Sequence, residues 1–262
     1  MRLTIEVELD YQFPAPADVL LGVEAAPMAD QRLIEDLLTV GGAGPLRPIA
    51  GEEGIGQRTW LNAAGRFEAR YRAVVEVDRP TIAIEGLAAA PARDLPATVV
   101  PYLWPSRYCE SDRFEAFIER RFGGLDGGAK VVAMADWIRA EVDYVAGSSD
   151  VTTTAVDSFV SRRGVCRDYA HLMASFARAA GIPARIVSAY AWRLDPPDFH
   201  AVVEVWLGGA WHLVDATRLA PLEGLVRIAV GRDATDIAFM TIFGEAIMQR
   251  QSVTVTRTDA GS

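Results

Sequence analysis

The chain has 262 residues, 50% hydrophobic and 23% charged, the make-up of an ordinary folded protein with enough sequence for one large core or two modest ones. A net charge of −9 with no dense basic cluster argues against a nucleic-acid or anionic-membrane partner. No apolar run is long enough to span a bilayer, and Met1 to Glu8 alternates like a strand instead of carrying a signal peptide, so the cytoplasm is the expected compartment.

Residues 1–98 read as a β-rich N-terminal domain. Leu3 to Leu9, Val19 to Val23, Gln57 to Leu61, Arg66 to Val77 and Thr81 to Ile84 alternate or carry β-formers between Gly and Pro clusters, and only Asp30 to Val40 has a helical pattern. The Pro-bearing stretch Pro91 to Pro105 marks the boundary, and residues 99–262 make the second domain. There Arg113 to Phe122, Ala129 to Val142 and Val156 to Arg162 read as helices. Another helix follows Cys166. Strands are expected at Ala184 to Trp192, His200 to Leu207, Trp211 to Asp215, Val226 to Val230 and Ser252 to Thr256. Helices first and antiparallel strands second make this an α+β fold.

The helix after Cys166 is the best defined. Counted from Tyr169, apolar residues recur at Leu172, Met173, Phe176 and Ala180, the stripe of a core-facing helix, and Gly181 and Pro183 stop it. Cys166 therefore falls at the first turn, where unpaired N–H groups and the positive dipole end stabilise negative charge on sulfur.

Two strands joined by Gly208-Gly209 read as a β-hairpin whose paired residue numbers sum to 417. Trp206 then faces Trp211, and His200, Val202, Glu204 and Trp206 share a face with Trp211, Leu213 and Asp215. His200 and Asp215 become diagonal neighbours, roughly 7–8 Å apart at the backbone and within side-chain reach. His212 points to the other face. His171 is rotated by about 140° from Cys166 around its helix and is a poor base. That leaves His200 as the histidine able to stand between a thiol and an acid on separate elements.

Cys109 reads as a packing residue, and both cysteines are expected as free thiols. Two cysteines and three histidines at these spacings match no common zinc pattern, so no metal or cofactor is expected. Trp206 and Trp211 share the face of His200 and are the candidate substrate-binding residues. Asp168 is read as stabilising the helix start, and Arg162, Arg163 and Arg167 as solvated surface in preference to polarising the thiol or binding a substrate carboxylate.

Residues 100–240 resemble the transglutaminase-like superfamily, in particular its bacterial cysteine-protease members. Gly164-Val-Cys-Arg-Asp-Tyr-Ala-His-Leu172 with Ala180-Gly-Ile-Pro-Ala-Arg185 looks like the family's nucleophile helix and the strand after it. Phe199-His-Ala-Val-Val-Glu-Val-Trp206 and Trp211-His-Leu-Val-Asp215 look like its histidine and aspartate strands, with Asp-Ala-Thr where many relatives have Asp-Pro-Thr. The resemblance implies a papain-like core in which Cys166 is the nucleophile, His200 the general base and acid, and Asp215 its orienting partner. It further implies attack on a peptide or glutamine-type amide through a thioester acyl-enzyme. Water as acceptor gives a protease or amidase, and an amine gives a transglutaminase. The oxyanion site would use the Cys166 backbone N–H and one further donor. The rival expectation is a binding or assembly module that kept the fold and lost turnover.

Overall fold

Leu3, Ile5, Val7 and Leu9 alternate with polar residues, so one face of the first strand is buried and the other wet. The computed structural model describes residues 1–258. The first half of the chain gives β1 (Arg2–Leu21), β2 (Gln31–Ala43), β3 (Arg47–Ala50), β4 (Gln57–Val77), α1 (Glu115–Phe122) and α2 (Gly127–Glu141). Next come β5 (Asp143–Tyr144), α3 (Ala155–Ser161), β6 (Arg163–Gly164), α4 (Cys166–Ala179) and β7 (Ala184–Ala191). The chain closes with β8 (His200–Leu207), β9 (Ala210–Val214), β10 (Leu225–Gly231), α5 (Ala234–Ile237), β11 (Met240–Phe243) and β12 (Ile247–Arg257). The architecture is α+β, as the element order implies.

The first sheet is antiparallel and centred on β1 and β4, with β2 and β3 on the outer side of β4 and β11 and β12 on the outer side of β1. Pro14 and Pro16 sit inside β1 because the register shifts between Phe13 and Ala17, a bulge where ladder N–H donors are dispensable. Strands β11 and β12 bring the C-terminal part of the chain into this sheet, so the sequence boundary at residue 98 does not divide the two sheets. Two local expectations are corrected. Residues 31–43 form β2, not a helix, and residues 81–83 lie outside any strand, ahead of a single helical turn at Ile84–Gly86.

The second sheet runs β10-β7-β8-β9, again antiparallel, and α4 packs against β7 and β8. From Asp168 to Arg178 every residue of α4 is buried. Phe176 explains part of this: its ring meets Phe114 at 5.2 Å, Phe117 at 5.3 Å and Trp137 at 5.5 Å, tying α1 and α2 to the central helix. Each such aromatic pair adds about 0.5–1.5 kcal/mol beyond area burial. Gly181 ends the helix with φ +73°, and Ile182 N–H returns to Ala177 O at 2.9 Å.

One core contains Leu3, Phe67 and Tyr71 of the first sheet together with Leu172, Phe176 and Ile186 of the second. Tyr71 stacks on Tyr190 at 6.2 Å, and the Tyr190 hydroxyl donates to Val23 O. Glu204, 1% exposed, accepts from Arg185 at 2.6 Å and from Arg227 at 2.7 Å. Those arginines reach on to Glu53 and Asp30, both at 2.8 Å. A buried charge lattice of this kind is tolerated because each ion is paired.

Candidate active site

Cys166 is placed by the residues just before α4. The short parallel pair β5–β6 sets Tyr144 opposite Gly164, and Val145 N–H donates to Gly164 O at 3.0 Å. A Cβ on Gly164 would fall 2.7 Å from Asp168 Cβ, so only glycine admits the close return of the first helical turn. Asp168 Oδ2 accepts the Val165 N–H at 2.8 Å, and Arg167 pairs with Oδ1 at 3.2 Å. Asp168 thus fixes the entry to α4, the role its position suggests, while Cys166 stays partly exposed as a free thiol. Tyr144, which the sequence reading overlooked, contacts both the backbone N–H and the thiol of Cys166 through its hydroxyl. Burial first, and then the charge of Cys166, push its phenol up to about 12.

The hairpin has the expected register: Trp206 opposes Trp211, Glu204 opposes Leu213, and Val203 opposes Val214. Gly208 and Gly209 make the turn with φ of +58° and +83°, a conformation that strongly favours glycine. His200 opens β8 and Asp215 follows β9, and their side chains meet with Nε2 2.9 Å from Oδ2. A carboxylate accepts only, so Nε2–H is the donor. The other carboxylate oxygen accepts from Thr217 N–H at 2.9 Å and from the Thr217 hydroxyl at 2.7 Å. Thr217 therefore orients the acid that orients the imidazole.

Burial works against charge on His200, but the hydrogen bond to Asp215 and then contact with the Cys166 thiol outweigh it and raise the imidazole to about 9. Asp215 moves the opposite way: burial would raise it, and the bonds from His200 and Thr217 hold it below the usual carboxylate range. The buried Nδ1 of His200 has no conventional partner among the described residues. Sulfur, imidazole and carboxylate are thus brought together from α4, β8 and the end of β9.

The remaining sequence candidates separate clearly. Cys109 is fully buried, and burial pushes its thiol up to about 11. His171 is buried with its ring stacked 5.2 Å from Tyr108, and burial lowers it to about 4. His212 donates to Leu207 O at 3.1 Å, away from Asp215. Trp206 and Trp211 do not reach the Cys166 cleft. They pack edge to face at 5.3 Å, with Tyr102 and Arg185 against Trp211. Strand geometry is the reason: six residues beyond His200 is about 20 Å along β8.

Cys166 and His200 instead open on a cavity of about 370 Å³ lined by Arg167, Ser188, Asp198, Phe199, Gln251 and the turn containing Ile237 to Met240. Arg167, expected at the surface, is on its wall. Gln251 comes from β12 and the turn from between β10 and β11. No local motif marks either, because they reach the site only through the fold.

The family model of the transglutaminase-like superfamily matches residues 118–216. The structure of a candidate cysteine protease from Cytophaga hutchinsonii is 37% identical, with a TM-score of 0.91 over 98% of this chain and 90% of that one. The periplasmic domain of TgpA from Pseudomonas aeruginosa is 20% identical, with a TM-score of 0.45 over 82% of this chain and 77% of that one. An uncharacterized protein of Mycobacterium leprae (strain TN), ML0607, is 35% identical over 116 residues, 41% of this chain and 42% of the relative, so the match spans under half of that protein's length.

Proposed function

The chain belongs to the transglutaminase-like superfamily, and from that premise we propose that it is a cysteine-dependent hydrolase of peptide-type amides. The observation that carries this reading is His200, buried between the Cys166 thiol and an Asp215 carboxylate 2.9 Å from its Nε2. With the imidazole raised to about 9, His200 is a cation at neutral pH beside the Cys166 sulfur, ready to give up a proton.

The thiolate attacks the amide carbonyl carbon, forming the C–S bond and a tetrahedral oxyanion beside the Cys166 N–H. As the oxyanion collapses, the C–N bond breaks and the imidazolium proton passes to the departing amine, leaving a thioester and a neutral His200. Water then gives a proton to His200 and attacks the thioester, which releases the acid and restores the thiolate–imidazolium pair. An amine taking the place of water would give acyl transfer by the same steps. Two free thiols suit a reducing compartment, and we place the activity in the cytoplasm on that ground.

Turnover of peptide p-nitroanilides by the intact chain and by Cys166→Ala tests the reading. Complete loss in the variant, with a thioester trapped by hydroxylamine in the parent protein, is the expected result. Full turnover in the variant would remove the nucleophile.

A further inference from the structure

We propose that this site selects peptide segments carrying a large apolar side chain beside the bond to be cleaved, and that the turn between β10 and β11 with Phe199 builds the receiving pocket. The proposal rests on the thiol chemistry of Cys166 proposed above and adds the class of substrate it takes. The cavity of about 370 Å³ that Cys166 and His200 border has an apolar side made by Val151, Phe199, Ile237, Phe239 and Met240, with Arg167, Asp198 and Gln251 on its polar border. Phe199 and Phe239 lie parallel with their rings 4.3 Å apart, a fixed flat surface against which an aromatic or branched aliphatic group can pack.

Moving such a side chain from water into the pocket favours it on the order of 10- to 100-fold over one that stays exposed. A carboxamide or a charged group entering the same space would lose its hydration against apolar walls. Ser188 supplies a hydroxyl that also lines this space: its Oγ is buried and lacks a hydrogen-bond partner among the described residues. One polar atom of the substrate main chain can satisfy it. Arg167, Asp198 and Gln251 also border the cavity, but Gln251 is bonded to Asp198 at 2.8 Å and Arg167 to Asp168 at 3.2 Å, so a glutamine side chain finds few uncommitted partners beyond Ser188.

The wall is held before any substrate arrives. His171 Nε2 accepts the Ala234 N–H at 3.1 Å, and Asp233 accepts Tyr108 N–H at 3.2 Å and Thr235 N–H at 2.9 Å. On the opposite side, Gln251 of β12 donates to Asp198 Oδ1 at 2.8 Å and fixes the mouth. The pocket is thereby preorganised by α4 below it and by the first sheet beside it, which lowers the ordering penalty on binding.

Two peptidyl chloromethyl ketones, alike except for phenylalanine or glutamine at the reactive end, test this, with iodoacetamide as a small reference reagent. In each case the Cys166 sulfur displaces halide, so the S–C bond forms as the carbon–halogen bond breaks, and mass spectrometry counts the adduct. The phenylalanine probe is expected to label Cys166 about 10- to 100-fold faster than the glutamine probe. In Met240→Lys, and independently in Ala234→Glu, the ratio between the probes is expected to collapse, with circular dichroism confirming the folded state. Equal or faster labelling by the glutamine probe, or a ratio preserved in both folded variants, overturns the apolar selection while leaving the nucleophile in place. Failure of iodoacetamide to label Cys166 overturns the thiol chemistry and the selection together.

Discussion

Replacing Asp215 by asparagine removes the carboxylate charge with little change of shape. His200 titrates at about 9, against an ordinary value of 6.5, although burial opposes its charge. Its two partners, Asp215 and Cys166, therefore raise it together by more than about 2.5 pH units. Asp215 stands ahead of Cys166 both as hydrogen-bond partner and as charge, so it is the main support of that rise. Its loss is expected to bring the His200 pKa down from about 9 toward the ordinary value of 6.5, a change on the order of 1–2 kcal/mol in the preference for the charged ring. The asparagine oxygen can keep the two bonds from Thr217, which turns its NH2 toward Nε2 and forces the proton onto Nδ1. That tautomer cannot accept a proton through Nδ1, and turnover is expected to fall on the order of 10⁴-fold. Ring NMR titration reads the pKa directly, since the chain has three histidines, His171, His200 and His212. A His200 value that stays near 9 in Asp215→Asn would refute the reasoning.

Glu204→Gln leaves Arg185 and Arg227 poorly compensated in the interior and should cost about 3–5 kcal/mol in urea unfolding; a loss under about 1 kcal/mol would show that the lattice is not needed. Gly164→Ala drives a methyl against Asp168 and should destabilise by about 1–3 kcal/mol while slowing alkylation of Cys166, whereas an unchanged Tm would contradict the close approach. His171 is lowered to about 4, so protonation favours the unfolded chain: its contribution is intact above 6.5 and fades as pH falls through about 4. At pH 5 the loss is about 2 kcal/mol, and His171→Gln should flatten this acid limb of the stability profile. His200 has the opposite sign. Its raised pKa contributes stability that is full below 6.5 and lost as pH rises through about 9, so His200→Gln should narrow the difference between pH 6.5 and 9.

The parts of the site that were legible depend on local rules. Glycine at positions 208 and 209 dictates a two-residue turn, the turn dictates the register, and the register puts His200 and Asp215 on one face. The stripe from Tyr169 to Phe176 likewise sets α4 and the place of Cys166 at its start. Residues 31–40 were misleading because Leu33, Ile34, Leu37 and Leu38 mimic a helical face. Pairing with β4, reinforced by the Tyr71 hydroxyl on Asp36 at 2.8 Å, overrides that pattern. The Trp206–Trp211 pair was correctly placed on the face of His200, but face is not distance, and the strand carries the pair away. Tyr144, Gln251 and the Ile237–Met240 wall are set by long-range packing, which leaves no short-range mark.

The coupling between Cys166 and His200 is the centre of this account, and the most direct test is the rate of iodoacetamide alkylation at pH 6, mapped to each cysteine in the parent protein and in His200→Ala. Cys166 should react at least about 100-fold faster than Cys109, whose buried thiol titrates at about 11, and that advantage should collapse in His200→Ala. Equally slow labelling of both thiols, or a Cys166 rate indifferent to the loss of His200, would contradict a thiolate held by that imidazole.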